Sequence, residues 1–247
     1  MQIHFLGTGS AFPGAVRDNT SICFSNDVGH VLVDVSGNPC KRLKQIGVEL
    51  GDLDVVIITH FHIDHIYGLP SLLWGMWLEG RTKALRIYCD ERNSKRLDTW
   101  MQAMEIADWG IQFEIDIQLF KGEEKRLLFS VGDMIFSSFP AIHSVPTIGL
   151  EITFQHKCIV YSCDTEYNPF IKAYPSIDIL IHEATSATEK SVNHTSMLEV
   201  VNCYSLDLIR EVVLVHLSDG EDYEAVRNRM KEREKIIIAE DMLRIEL

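Results

Sequence analysis

The sequence predicts an α/β protein. Short apolar runs rich in β-branched residues alternate with helix-patterned segments, one of these runs ends abruptly in a cluster of polar side chains, and the 46% hydrophobic content is enough to fill a core. The first half supplies strand patterns at 3–6, 21–24, 31–35, 55–59 and 85–88, most bounded by Gly, Asn or Asp. After a middle section, strands resume at 133–139, 147–154, 158–162, 177–182 and 211–216. Helical patterns fall at 39–46, 69–77, 93–104, 196–205 and 223–231. Positions 147–154 alternate apolar and polar residues, and Gln155, His156 and Lys157 read as a hairpin turn into 158–162. Neither a Pro/Gly/Ser linker nor a short-period repeat breaks the alternation, so one domain over 1–247 is expected.

Composition narrows the function. The opening Met1, Gln2, Ile3, His4, Phe5, Leu6 and Gly7 read as a strand, without the basic region, apolar run and small-residue site of a signal peptide. No apolar stretch approaches the roughly 20 residues needed to cross a bilayer. Six cysteines, at 23, 40, 89, 158, 163 and 203, include no Cys-x-x-Cys pair and suit a reducing compartment, so a cytoplasmic location without membrane partners is expected. Net charge is -13, from 23 Lys+Arg against 36 Asp+Glu. That balance opposes non-specific attraction to polyanions, and a nucleic-acid substrate would need a local basic patch. Bound divalent cations would offset part of the charge.

The chemistry concentrates after Asp54, Val55, Val56, Ile57, Ile58 and Thr59, a run with the length and β-branched content of a buried strand. It delivers the chain into His60, Phe61, His62, Ile63, Asp64 and His65, four candidate metal ligands within six residues. In extended backbone, side chains at i, i+2 and i+4 share one face, so His60, His62 and Asp64 are expected to converge, with a turn into a helix redirecting His65. Gly68 and Pro70 fit a tight passage into that helix. Imidazole suits zinc, copper, nickel or iron, and carboxylate adds charge, so zinc is the first expectation, with manganese and iron as alternatives.

This run resembles the His-x-His-x-Asp-His motif of the metallo-β-lactamase superfamily, whose fold is a four-layer αββα sandwich. The segment Phe5, Leu6, Gly7, Thr8, Gly9, Ser10, Ala11, Phe12 and Pro13 with Arg17, and Ile181, His182, Glu183, Ala184 and Thr185 followed by His194, resemble more narrowly the RNase Z branch, the tRNA 3′-processing endonucleases. The resemblance runs nearly end to end. It implies three further ligands, His143, Asp164 and His216, each after a strand pattern. By the same resemblance His60, His62 and His143 hold one metal, Asp64, His65 and His216 hold a second, and Asp164 bridges them. A metal-bound hydroxide would then attack a phosphodiester, with Asp64 accepting the nucleophile's proton. His194 would assist the leaving alkoxide, and Glu183 would orient or protonate His194. Cys163, beside the implied bridge, is expected to face away from the metals by strand alternation. His4, His30 and His156 lack such context and are assigned structural or surface roles.

Several residues depart from the RNase Z pattern. That branch carries a long tRNA-gripping arm between the positions matching His143 and Asp164, where this sequence has only a predicted hairpin. Ile63 replaces a small residue, the 13–17 loop lacks a lysine, and His194 is followed by Thr195 and Ser196 in reversed order. With the acidic charge, these features favour a small phosphodiester, a cyclic nucleotide or a short oligonucleotide, over tRNA. Trp74, Trp77, Trp100 and Trp109 could wall a base or pack structurally. Carboxyl-ester, lactone, thioester or sulfate-ester hydrolysis with the same metals is the alternative reaction. Iron redox chemistry is disfavoured by His62, where flavin-linked relatives carry glutamate, and a non-catalytic binding protein by the intact ligand set. The resemblance also suggests a homodimer.

Overall fold

The computed structural model describes residues 1–12 and 14–247; Pro13, the end of the amino-terminal motif, lies outside the described residues. The described strands form two seven-stranded sheets. The first sheet is built from β1 (Gln2–Gly7), β2 (Ser21–Ser25), β3 (His30–Val33), β4 (Leu53–Ile58), β5 (Leu85–Asp90) and β6 (Ile115–Phe120). The second is built from β7 (Arg126–Val131), β8 (Met134–Pro140), β9 (Ile148–Phe154), β10 (Lys157–Tyr161), β11 (Ile177–Glu183), β12 (Ile209–Val215) and β13 (Ile236–Ile238). The last strand, β14 (Leu243–Glu246), returns to the first sheet and pairs antiparallel with β1. Each sheet has one antiparallel and one parallel half: β3 through β6 and β10 through β13 run parallel.

Side-chain alternation explains the layering. Ile3, Phe5, Ile22, Phe24, Val55 and Ile57 of the first sheet meet Phe136, Leu150, Ile152, Ile179, Ile181, Val213 and Val215 of the second in one buried cluster. The intervening residues Leu6, Cys23, Leu32, Val56 and Ile58 face outward onto helices α1 (Pro39–Gln45), α3 (Leu69–Leu78) and α4 (Ser94–Ala103). Val160, Leu180, Val212 and Leu214 do the same on the other side, beneath α5 (Pro169–Lys172), α6 (Met197–Cys203) and α7 (Tyr223–Arg227). This is an αββα sandwich, and strands buried on both faces account for the nearly continuous apolar runs in the sequence. A short helix, α2 (Ile63–Ile66), follows β4 directly.

The expected hairpin joins β9 to β10, with Gln155 in the left-handed region at φ 54°. Strands β6, β7, β13 and β14, the four sheet edges, fall outside the sequence-predicted set. β6 and β14 lie at or near a sheet edge and are largely half-buried, so their apolar signal is diluted. Among the described residues no helix is long and apolar enough to cross a membrane. The six cysteines carry no disulfide.

Candidate metal centre

The site lies beyond the carboxyl ends of β3, β4, β8, β10, β11 and β12, where strands stop and side chains become free to converge. Several of these turns are made by non-glycine residues with left-handed backbone: Asp34 at φ 60°, Cys163 at 53°, Asn193 at 66° and His216 at 56°. Such conformations are costly and persist where the surroundings hold them. The amino-terminal motif braces this region, because Ser10 N–H donates to Leu217 O at 3.0 Å and Leu217 N–H to Thr8 O at 2.9 Å. Gly7 permits the close approach: a Cβ there would lie 2.1 Å from Asn19 O.

The extended stretch ends at His62, which precedes α2 with φ -82° and ψ 150°. Asp64 and His65 therefore project from the first helical turn, and Asp64 is not part of an extended i, i+2, i+4 face. It joins the other side of the cluster instead. His60 Nε2 lies 3.1 Å from His62 Nδ1, which lies 3.0 Å from His143 Nε2. Asp64 Oδ2 lies 3.2 Å from His65 Nε2 and 3.5 Å from His216 Nε2. Asp164 Oδ2 stands between the groups, 3.7 Å from His60, 3.9 Å from His143 and 3.4 Å from both His65 and His216. The ligand-type atoms of His60, His62, His143 and Asp164, and those of Asp64, His65, Asp164 and His216, each fall within 4.8 Å of one another.

Hydrogen bonds behind the rings decide which nitrogen faces inward. Thr59 Oγ1 donates to Asp34 and so accepts from His60 Nδ1 at 3.1 Å. His65 Nδ1 donates to Asp34 Oδ2 at 2.7 Å, His143 Nδ1 to Asn193 O at 2.8 Å, and His216 Nδ1 to Thr185 Oγ1 at 2.9 Å. With each Nδ1 proton committed outward, four Nε2 lone pairs point at one another across a buried space. His65 Nε2 and Asp164 Oδ1 are buried without a hydrogen-bond partner among the described residues. Converging lone pairs and an orphaned carboxylate oxygen call for positive charge, and a divalent cation of the zinc type fits this donor set.

The protein's own charges reflect that demand. Burial pulls the His60 imidazole well below its usual range. Burial also opposes charge on His65, but Asp164 and Asp34 on its two sides hold it well above the ordinary value. Asp164 is buried, which would raise it, yet His216 and His65 keep its carboxyl far below the usual range.

His194 and Glu183 form a second layer. His194 Nδ1 donates to Glu183 Oε1 at 2.9 Å, and its ring lies 5.3 Å from the His216 ring and 5.0 Å from the His143 ring. Burial disfavours charge on His194, but Glu183 reverses this and raises its pKa. Glu183 also accepts from Thr165 N–H at 3.0 Å, Thr185 N–H at 3.2 Å and Thr185 Oγ1 at 2.9 Å. Both carboxylate oxygens are thus committed, which suits orienting His194 rather than supplying it with a proton. Ser196 is the N-cap of α6 in a full capping box with Glu199, so the helix start is satisfied without His194.

Cys163 has left-handed backbone, and its thiol is buried in the core 3.7 Å from His60 Nδ1, behind that ring and away from the inward-facing Nε2 atoms. Asp34 was not singled out in the sequence, although it holds both Thr59 and His65. Its signal was an acidic residue closing the buried β3 run, visible only once the partner 31 residues away is known. Trp74, Trp77 and Trp109 pack together on the helical layer, with ring centroids 4.7–6.0 Å apart, whereas Trp100 stands apart beside Phe61. His4 bonds Gln2 and His30 bonds Ser25.

Comparison with known proteins adds three kinds of likeness. A family model described as anti-Pycsar protein Apyc1 matches residues 1–238. A Ribonuclease Z of Methanococcus maripaludis strain C6 is 26% identical over the whole of both chains, in an alignment of 311 positions that leaves the relative with insertions. Among solved structures, YhfI of Bacillus subtilis, a metallo-β-lactamase fold protein, superposes with a TM-score of 0.83 at 20% identity, covering 99% of this chain and 98% of that one. The short form of human tRNase Z gives 0.78 at 22% identity, covering 100% and 99%.

Proposed function

Because the chain belongs to the family of the anti-Pycsar protein Apyc1, on the RNase Z-like branch of the metallo-β-lactamase fold, we propose that this metal-dependent hydrolase is a phosphodiesterase for a small nucleotide substrate. The observation that carries the reading is the pair of His/Asp groups sharing Asp164, with His194 seated against both. His60, His62 and His143 would hold one ion, Asp64, His65 and His216 a second, and Asp164 both. Two divalent ions, zinc by the donor chemistry, would acidify a shared water and offset charge on the phosphoryl oxygens.

The chain's own residues supply the rest. In this reading Asp64, held between His65 and His216, accepts the proton of the attacking water. His194, its Nδ1 proton held by Glu183, presents Nε2 as the proton donor for the leaving alkoxide. Asp34, Thr59, Asn193 and Thr185 fix the imidazole tautomers.

A cyclic nucleotide or short oligonucleotide is preferred over tRNA. Between His143 and Asp164 the chain holds only the β9–β10 hairpin, and the longer alignment with the methanococcal relative is consistent with segments missing here. The -13 charge points the same way. The test is a panel on purified, metal-loaded protein: bis(4-nitrophenyl) phosphate, 2′,3′- and 3′,5′-cyclic nucleotides, precursor tRNA, a lactone and an aryl sulfate. The reading expects turnover of the first two classes above the others. Preferred turnover of the lactone or aryl sulfate would overturn it, and preferred cleavage of precursor tRNA would overturn the small-substrate assignment.

A further inference from the structure

Arg92, Lys95, Arg96, Thr99 and Trp100 recur at the spacing of one helix face along α4 and the turn before it. Together with Phe61 and Ile66 they enclose a groove of about 490 Å³, within the size range of small-molecule sites. Leu97, Met101 and the inner side of Trp100 pack α4 onto the core, whereas Lys95, Arg96 and Thr99 are exposed and take no part in that packing. Arg92 is committed to Asp90 at 2.5–3.1 Å. Lys95 and Arg96 are exposed and have no carboxylate at ion-pair distance among the described residues, while Glu91 and Asp98 lie off the groove. In a chain of net charge -13, unpaired cations gathered beside aromatic rings are the local basic patch that an anionic aromatic ligand requires. Trp100 lines the groove with its ring, while its Nε1 is buried without a partner among the described residues.

The groove adjoins both segments of the candidate centre. Phe61 sits between His60 and His62, and Asn93 Nδ2 donates to Pro146 O at 2.9 Å, fastening the start of α4 to the loop of His143. We propose that this groove is a nucleotide-binding site beside the metal centre, with a heteroaromatic ring against Trp100 and Phe61 and a phosphate on Lys95 and Arg96. Its ligand is either a free nucleoside monophosphate or the neighbouring nucleotide of a longer substrate, and the latter case rests on the phosphodiesterase reading above.

Calorimetric titration of the purified full chain with uridine 5′-monophosphate, uridine and inorganic phosphate tests the site. The expected result is monophosphate binding stronger than either fragment, weakened about tenfold or more in Lys95→Ala/Arg96→Ala and in Trp100→Leu. Binding unchanged in both variants, or lost only in His62→Ala, overturns the proposal. Kinetics then separate the sources. A tenfold rise in KM for 5′-phosphorylated uridylyl-uridine in the double variant, with bis(4-nitrophenyl) phosphate unaffected, identifies the neighbouring nucleotide, whereas an unchanged KM identifies the free monophosphate. The titration holds whether or not the protein cleaves phosphodiesters, so failure of that reading is distinguishable.

Discussion

His194 donates its Nδ1 proton to Glu183 Oε1 at 2.9 Å, while Thr165 and Thr185 occupy the rest of that carboxylate. The contact fixes the ring and raises its pKa, leaving Nε2 toward the space shared with His143 and His216. His194→Ala is therefore expected to retain bound metal and lose about 10²–10⁴-fold in phosphodiester turnover. Glu183→Gln should keep metal as well and move the alkaline limb of the pH profile to lower pH, because the imidazolium loses its carboxylate. A leaving group of low pKa, such as 4-nitrophenolate, should reduce both defects, since it needs little protonation. Equal defects for good and poor leaving groups would remove His194 from the acid role.

Asp34 ties together Thr59 and His65 from a fully buried, left-handed position. Asp34→Asn retains the shape but weakens the hold on His65 Nδ1. Metal affinity is expected to fall about 10–100-fold, the range for losing a partner behind a ligating histidine. Competition against a zinc chelator measures it, and unchanged affinity would show that Asp34 serves only the fold.

Position 149 offers a test of packing beneath the site. A Cβ at Gly149 would lie 2.4 Å from the ring of Phe139 and 3.0 Å from Tyr161 O, both in the core. Gly149→Ala should destabilise the fold by about 1–3 kcal/mol through overpacking, read as a shift in the denaturant midpoint.

His182 gives a pH dependence independent of the metal cluster. Burial lowers its pKa to about 4, so the folded protein keeps it neutral while the unfolded chain takes up a proton near 6.5. The unfolded state binds more protons between these values, and stability is lost as pH falls through that window. His182→Gln should make the slope of unfolding free energy against pH shallower there by up to about 1.4 kcal/mol per unit. Identical slopes would contradict the assignment.

The layers of the sandwich were legible because strands buried on both faces produce long apolar runs, as at Val55 to Ile58. Edge strands such as β6, with Asp116 and Gln118 half-exposed, lack that density and escaped notice. In the site, His60 through His65 announce themselves by proximity in the chain. His143, Asp164 and His216 do not, because they meet only when separate strand ends come together, and family resemblance was needed to pick them out. Asp34 was silent because its importance is a contact rather than a pattern. Cys163 is buried behind His60 as strand alternation suggests, although its own left-handed backbone ends the strand geometry.

Metal content decides whether the His60, His62, His143 group and the Asp64, His65, His216 group form a paired metal centre sharing Asp164. Mass-spectrometric quantification should find about two divalent ions per chain in the wild type and a marked loss in the His62→Ala/Asp164→Ala double variant, with phosphodiester turnover falling in parallel. Wild-type metal content in that double variant would show that His62 and Asp164 do not hold the ions.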